Sequence, residues 1–193
     1  MPRATAAEAA ATAVRVRETA LERFVAHGFD AASVDDIAAD AGVTRGAVYH
    51  HYGSKPGLFL AVVEELQQRV ADAVVAAAEA APSTADSLRL GSHAFLDAIT
   101  ADGAARVLLV DAPRALGWEA WRRADAAASG AHLRDALGDV GVAAQDVDAT
   151  AALLSGAMNE AALWLSEHPD DAAARESVRR TLDALLDAAT ARA

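Results

Sequence analysis

The chain has no cysteine, and among its 193 residues there is a single lysine, Lys55. Without a thiol there is no disulfide framework, no thiolate metal ligand and no cysteine nucleophile. The period-two alternation of β-branched and aromatic residues that marks strands is missing as well. No apolar run approaches the roughly 20 residues that a membrane-spanning helix needs. The opening "MPRATAAEAAATAVRVRETA" lacks the apolar core of a secretory signal. Arg3, Arg15 and Arg17 imitate a transit peptide, but Glu8 and Glu18 argue against one, so a soluble, cytoplasmic protein is expected. After residue 60 there is no Gly-rich phosphate loop, no G-x-S-x-G and no H-E-x-x-H. No enzyme, cofactor or metal is therefore expected, and isolated acids such as Asp111 and Asp135 read as solvated or capping groups.

What is present is alanine: 54 of 193 positions, the strongest helix former and one that suits close packing. An all-α protein of about nine helices follows. Positive charge is short, with 17 Lys/Arg against 28 Asp/Glu and a net charge of −11. The deficit is uneven. Residues 1–60 hold six basic and seven acidic residues, whereas residues 61–193 hold eleven and twenty-one, leaving −1 and −10. A nucleic-acid contact is thus not excluded in the first sixty residues, although the overall field will not steer it.

Val16, Ala20 and Phe24 recur at helical spacing, with Leu21 widening the stripe, until Gly28 stops the helix and Phe29 folds back on it. Ser33 followed by Asp35 and Asp36 is a strong helix start. Ile37, Ala38 and Ala41 face inward before Gly42. Thr44 caps a third helix running to about His51, anchored by Val48. Gly53 ends it, Ser54 caps a fourth helix, and Pro56 is tolerated in its first turn. That fourth helix runs to about Ala80. Beyond the linker "APSTADS" the reading places helices at roughly 86–100, 103–111, 115–137, 146–167 and 170–191, broken at "ADG", "DAP", "GDVG" and "HPD".

Two short helices joined by a Gly-containing turn have helix-turn-helix spacing, though short helical hairpins are also common core elements. The surface of the third helix adds weight. Arg45, Ala47, Tyr49 and His50 leave it long on donors and short on acids. The helix starts at Ser33 and Thr44 present free amides suited to phosphate oxygens, and Lys55 begins the next helix on the same side. Adjacent His50 and His51 point about 100° apart on a helix. Two-histidine helical metal sites need i, i+4 spacing, so no metal is expected there.

The stretch "RVRETALERFVAHGFDAASVDDIAADAGVTRGAVYHHYGSKPGLF" resembles the DNA-binding region of TetR-family transcriptional regulators, without gaps over about residues 15–60. Tyr52 stands where that family more often has Phe. The resemblance implies a homodimer, a downstream ligand-binding helical domain and a near-palindromic double-stranded DNA operator. It puts Ser33, Thr44, Tyr49 and Lys55 on phosphates, and Arg45, Gly46, Ala47 and His50 at base edges. An Arg45–guanine contact and an Ala47–thymine methyl contact make chemical sense of that placement. His51 is as well explained by packing.

The resulting division is 1–54 for an N-terminal arm and helix-turn-helix domain, 55–80 for a connecting helix, and 81–193 for ligand binding and dimerisation. "RVLLVDAPRALG" with Trp118 and Trp121 resembles one C-terminal subgroup of the same family. Candidate effector contacts are Leu66, His93, Phe95, Leu109 and Trp118, with Trp121, Asn159 and Trp164 on later helices. For each of these ordinary core packing is the bland alternative. Arg114 suits an anionic effector or a neighbouring acid equally. Small residues at 150–166 and the apolar stripe of the last helix allow two copies to pack as four helices, through Leu153, Ala157, Ala161, Val178, Leu182 and Leu185. The function expected is a ligand-responsive repressor with an unidentified small-molecule effector. The rival is a helical small-molecule-binding protein that keeps the helix-turn-helix only as scaffold.

Overall fold

The computed structural model describes residues 6–191, apart from the side chains of Ala126 and Ala127; Arg3 lies outside them. Among the described residues there are ten α-helices and no strand. The first three, α1 (Ala6–Ala31), α2 (Val34–Asp40) and α3 (Arg45–Tyr52), form the N-terminal head. Ser33 and Thr44 cap α2 and α3, their hydroxyl oxygens accepting from the Asp35 and Ala47 amides at 3.1 and 3.2 Å. Two arginines of α1 fix α2 in place. Arg15 donates to the last carbonyl region of α2 at Ala41 (2.8 Å), and Arg23 pairs with Asp40. Tyr52 has a use for its hydroxyl: it donates to the Ala13 carbonyl at 2.6 Å and ties the end of α3 to α1.

Helix α4 (Lys55–Glu79) starts on Ser54 and runs from the head into the rest of the chain. Its first turns bury Leu58, Phe59, Val62 and Val63 against the head. There Phe59 meets Phe24 edge-on at 4.9 Å and Phe29 at 4.8 Å. Its later turns pack along α5 (Thr84–Thr100).

Helix α1 does not simply end at Gly28, as the sequence suggests. Gly28 takes φ 76° and ψ 169°, breaking the helix, and one further turn follows to Ala31. A side chain there would collide with the Arg106 guanidinium as well as straining the backbone. Asp111, expected as a solvated or capping group, is buried and accepts from the Phe29 amide at 3.3 Å.

The C-terminal half departs from the expected segmentation. After a short 3₁₀ turn (Ala101–Gly103), residues 106–111 wind as a π-helix that leads directly into α6 (Ala112–Leu116). "DAP" is therefore no break. Pro113 sits in the first turn of α6, and its missing N–H is felt in the π-helix behind it. The break falls at Gly117, and the single helix expected over 115–137 is two, α7 (Trp118–Ala127) and α8 (Ser129–Asp139), parted at Ala128. Helices α9 (Ala144–Ser166) and α10 (Ala172–Thr190) complete the chain.

The π register explains Trp121. The Ala112 amide bonds to the Val107 carbonyl, five residues back. The next donor in that register would be Pro113, which has no N–H. The Leu108 carbonyl is left over, and the buried Trp121 indole donates to it at 2.6 Å. Trp121→Phe keeps a ring and removes this donor, so unfolding in urea should show stability lower by about 1–3 kcal/mol. A change within about 0.5 kcal/mol would mean that the carbonyl finds another partner.

Candidate functional site

The head presents α3 outward, held by its one buried residue, Val48. Thr44, Arg45, Gly46, Tyr49 and His50 are exposed, while Ser33, Ala47 and Lys55 are half-buried at its edges. Ser33 and Thr44 cap α2 and α3, Arg45, Gly46, Ala47, Tyr49 and His50 lie on α3, and Lys55 opens α4. Arg45 is already engaged. Its guanidinium bonds both Asp35 oxygens at 2.9 and 3.2 Å, donates to the Tyr49 hydroxyl at 3.2 Å and lies 5.3 Å from the centre of that ring. The Tyr49 hydrogen bond, then the Asp35 charge, push its pKa further above the ordinary value. Because both side chains of the ion pair are more than half exposed, trading Asp35 for another acceptor costs little.

Lys55 donates to the Asp30 carbonyl at 3.1 Å and sits 4.7 Å over the Phe29 ring. An ammonium has three donors, so others remain for a phosphate. Gly46 has room around it, as Gly138 and Gly156 do in their helices: a Cβ added there would come no nearer than 3.8 Å to anything outside its own helix backbone. Nothing inside the protein needs that glycine. His50 and His51 have ring centres 5.5 Å apart, and among the described residues no cluster of three metal-ligating side chains occurs.

The C-terminal half contains a cavity of about 230 Å³ between α4, α5, α7, α8 and α9. Its apolar wall includes Val74, Leu88, Phe95, Leu133 and Met158. Of the expected effector contacts only Phe95 lines it. The others are placed elsewhere for identifiable reasons. His93 faces α10, 2.8 Å from Asp183, among ion pairs that Arg89 and Arg179 also make between α5 and α10. Arg114 takes the neighbouring-acid option, pairing with Asp30 at 2.6 Å beside the head. Trp121 serves the Leu108 carbonyl, and Trp118 lies 4.9 Å from it, largely exposed. Leu66 is buried beside a separate cleft with α1, and Leu109 packs half-buried against the core. Asn159 has a buried, unpartnered carbonyl oxygen but does not line the cavity. Trp164 belongs to a groove between α9 and α10, with Ala157, Ala161, Val178, Leu182 and Leu185. Leu153 and Leu185 share a second depression on those helices and are exposed at 76% and 45%.

What the expected segmentation missed is the contribution of α8. Ser129, Gly130 and Leu133 of α8 line the cavity after the break at Ala128, which the Ser129-Gly130 pair marks and the expected single helix over 115–137 passed over. Asp125 also lines it. Burial raises its carboxyl pKa above the ordinary 3.8, against the pull of Arg122. The folded state then holds this proton more tightly than the unfolded chain does. Its contribution to stability is complete at low pH and is lost as pH rises through the raised pKa. Asp125→Asn should remove that decline in pH-dependent thermal unfolding; an unchanged pH profile would show that the carboxyl titrates normally.

A model of the bacterial regulatory proteins, tetR family, matches residues 16–62, and one of the tetracyclin repressor-like C-terminal domain matches 85–189. The HTH-type transcriptional regulator SrpR of Pseudomonas putida is 51% identical over 67 residues, 35% of this chain and 32% of that protein. The probable acrEF/envCD operon repressor of Escherichia coli is 44% identical over 59 residues, 31% of this chain and 27% of that protein. The chain thus aligns with no more than about a third of the length of these curated relatives. A solved TetR-family transcriptional regulator from Pectobacterium atrosepticum is 29% identical with a TM-score of 0.72, covering 96% of this chain and 97% of that one. With its head and its cavity-bearing half each matched separately, the chain belongs to the TetR family of DNA-binding transcriptional regulators.

Proposed function

We propose that the protein represses transcription as a homodimer on a near-palindromic operator and is released by a small-molecule effector bound in the C-terminal cavity. The observation that carries the reading is Gly46. A glycine in the first turn of an exposed helix weakens that helix, and here it relieves no contact within the protein. Its use is external, allowing close backbone approach to a surface. In this reading Ser33, Thr44, Tyr49 and Lys55 hold phosphates, and Arg45, Gly46, Ala47 and His50 lie at base edges. Arg45 exchanges Asp35 for guanine on binding, and Asp35 then penalises sites that offer no such acceptor.

The division into residues 1–54, 55–80 and 81–193 follows the same logic, with α4 linking head to sensor. Dimerisation uses the α9–α10 face, where Leu153, Leu185 and Trp164 are apolar and exposed. Two recognition helices must then meet successive major grooves, about 34–36 Å apart for each helical turn between half-sites. An effector displaces the operator only by its differential affinity for the conformer with the wrong spacing.

Gly46→Ala separates the regulator from the scaffold alternative. Stability should be unchanged or up to about 1 kcal/mol higher, while binding to DNA flanking the protein's own gene falls about tenfold or more, the scale of a lost base contact. No salt-sensitive binding by either protein in an electrophoretic shift would favour the scaffold, whereas equal salt-sensitive binding by both would overturn the role given to Gly46. Arg45→Ala should weaken binding and relax specificity, whereas Lys55→Ala should weaken all sequences alike and reduce the salt slope by about 1. For the dimer, Leu153→Glu with Leu185→Glu should give a monomer by light scattering. A variant that remains dimeric would place the interface elsewhere.

A further inference from the structure

We propose that the cavity between α4, α5 and α8 selects an organic cation with an apolar body, of the quaternary or tertiary ammonium class. This rests on the cavity being the effector site and adds the chemistry of the effector. Four carboxylates, Glu79, Asp125, Asp135 and Asp139, line it together with the apolar wall, and no lysine or arginine does so among the described residues. An anion entering there meets like charge on several sides; of basic residues His132 alone lines it among the described residues, and the Arg122 guanidinium nearby stands against Asp125. Two lining serines have already committed their protons to backbone. Ser87 donates to the Ala78 carbonyl at 3.1 Å and Ser92 to the Leu88 carbonyl at 2.8 Å. What these hydroxyls offer a ligand is lone pairs, which also suit a positive group.

Asp125 makes the strongest case. Its side chain is only 18% exposed, and the Arg122 guanidinium stands 3.9 Å away, too far for a good charge-assisted hydrogen bond. A carboxyl held this way is costly to the fold, as its raised pKa also indicates. A bound ammonium adds a closer counter-charge to the distant one of Arg122. Phe95 lines the same cavity and is the aromatic ring there, suited to a cation, and Val74, Leu88, Leu133 and Met158 receive its hydrocarbon. The wider field agrees, because residues 61–193 carry −10 and draw cations towards this half of the molecule.

The test compares three probes with the same chain and different heads: octyltrimethylammonium, octanol and octanoate, titrated calorimetrically into the full-length protein below their micelle concentrations. Saturable binding is expected in the order cation, alcohol, anion, with the cation at least about tenfold tighter than the alcohol. Asp125→Asn with Asp139→Asn should remove most of that preference while leaving octanol affinity unchanged. If the double variant loses its cooperative melt, Asp139→Asn alone, at an exposed position, should still reduce the preference. Octanoate binding as tightly as the cation, or a cation affinity indifferent to these substitutions, would overturn the proposal. Electrophoretic shifts run in parallel keep the two readings apart. Operator binding without any cation binding defeats the cation site and leaves the regulator standing. Selective cation binding without DNA binding supports the site and defeats the regulator.

Discussion

Helix α4 belongs to two cores at once, and the rest of the molecule depends on that double membership. Leu58, Phe59 and Val62 at its start are completely buried with Phe24 of the head. Val74, Val75 and Ala78 near its end form one wall of the cavity. The 25 residues between Lys55 and Glu79 make a rod about 37 Å long, with no proline or glycine after its first turn. Such a helix transmits displacement rather than absorbing it. A change in the packing of its last turns therefore moves the platform on which α3 is mounted.

The charge distribution follows the same division of labour. A net charge of −11 is unfavourable for a protein that meets DNA, yet the first sixty residues carry only −1. Within the head, acids are neutralised by design: Asp40 by Arg23, Asp35 by Arg45 and Asp30 by Arg114. The acidity that remains lies in the C-terminal half, which carries −10. One chain thus presents a nearly neutral head to a polyanion and keeps its negative charge at a distance from it.

The head was legible from sequence because its determinants are local. Ser33, Thr44 and Ser54 each cap the helix they precede, and Gly42 and Gly53 stop the helices they follow, so a reader needs only a few residues at a time. The C-terminal half was less legible because distant partners decide it. Pro113 looked like a terminator, but a π register and the Trp121 indole accommodate it inside a continuous helical run. Ala128 looked like mid-helix and is a break, with φ −88° and ψ −113°, just before Ser129 and Gly130. His93, Trp118 and Trp164 stood out as unusual residues on apolar faces. Their faces turned out to be an ion-pair seam, open surface and an outer groove, while the cavity is lined largely by less conspicuous residues such as Ser87, Ser129 and Gly130. Of the eight residues read toward DNA, Thr44, Arg45, Gly46, Tyr49 and His50 are exposed and Ser33, Ala47 and Lys55 half-buried.

Gly28 has a kinematic consequence. The helix before it is bolted to the head through Arg15 and Arg23, whereas the turn after it is bolted to the C-terminal half through the Phe29 amide on Asp111 and the Asp30 carboxylate on Arg114. With α4 as the first attachment, this turn is a second. A rigid body fixed at two points keeps only rotation about the line that joins them. The head is in effect a door on two hinges, and its swing, rather than its twist, is the freedom left to it.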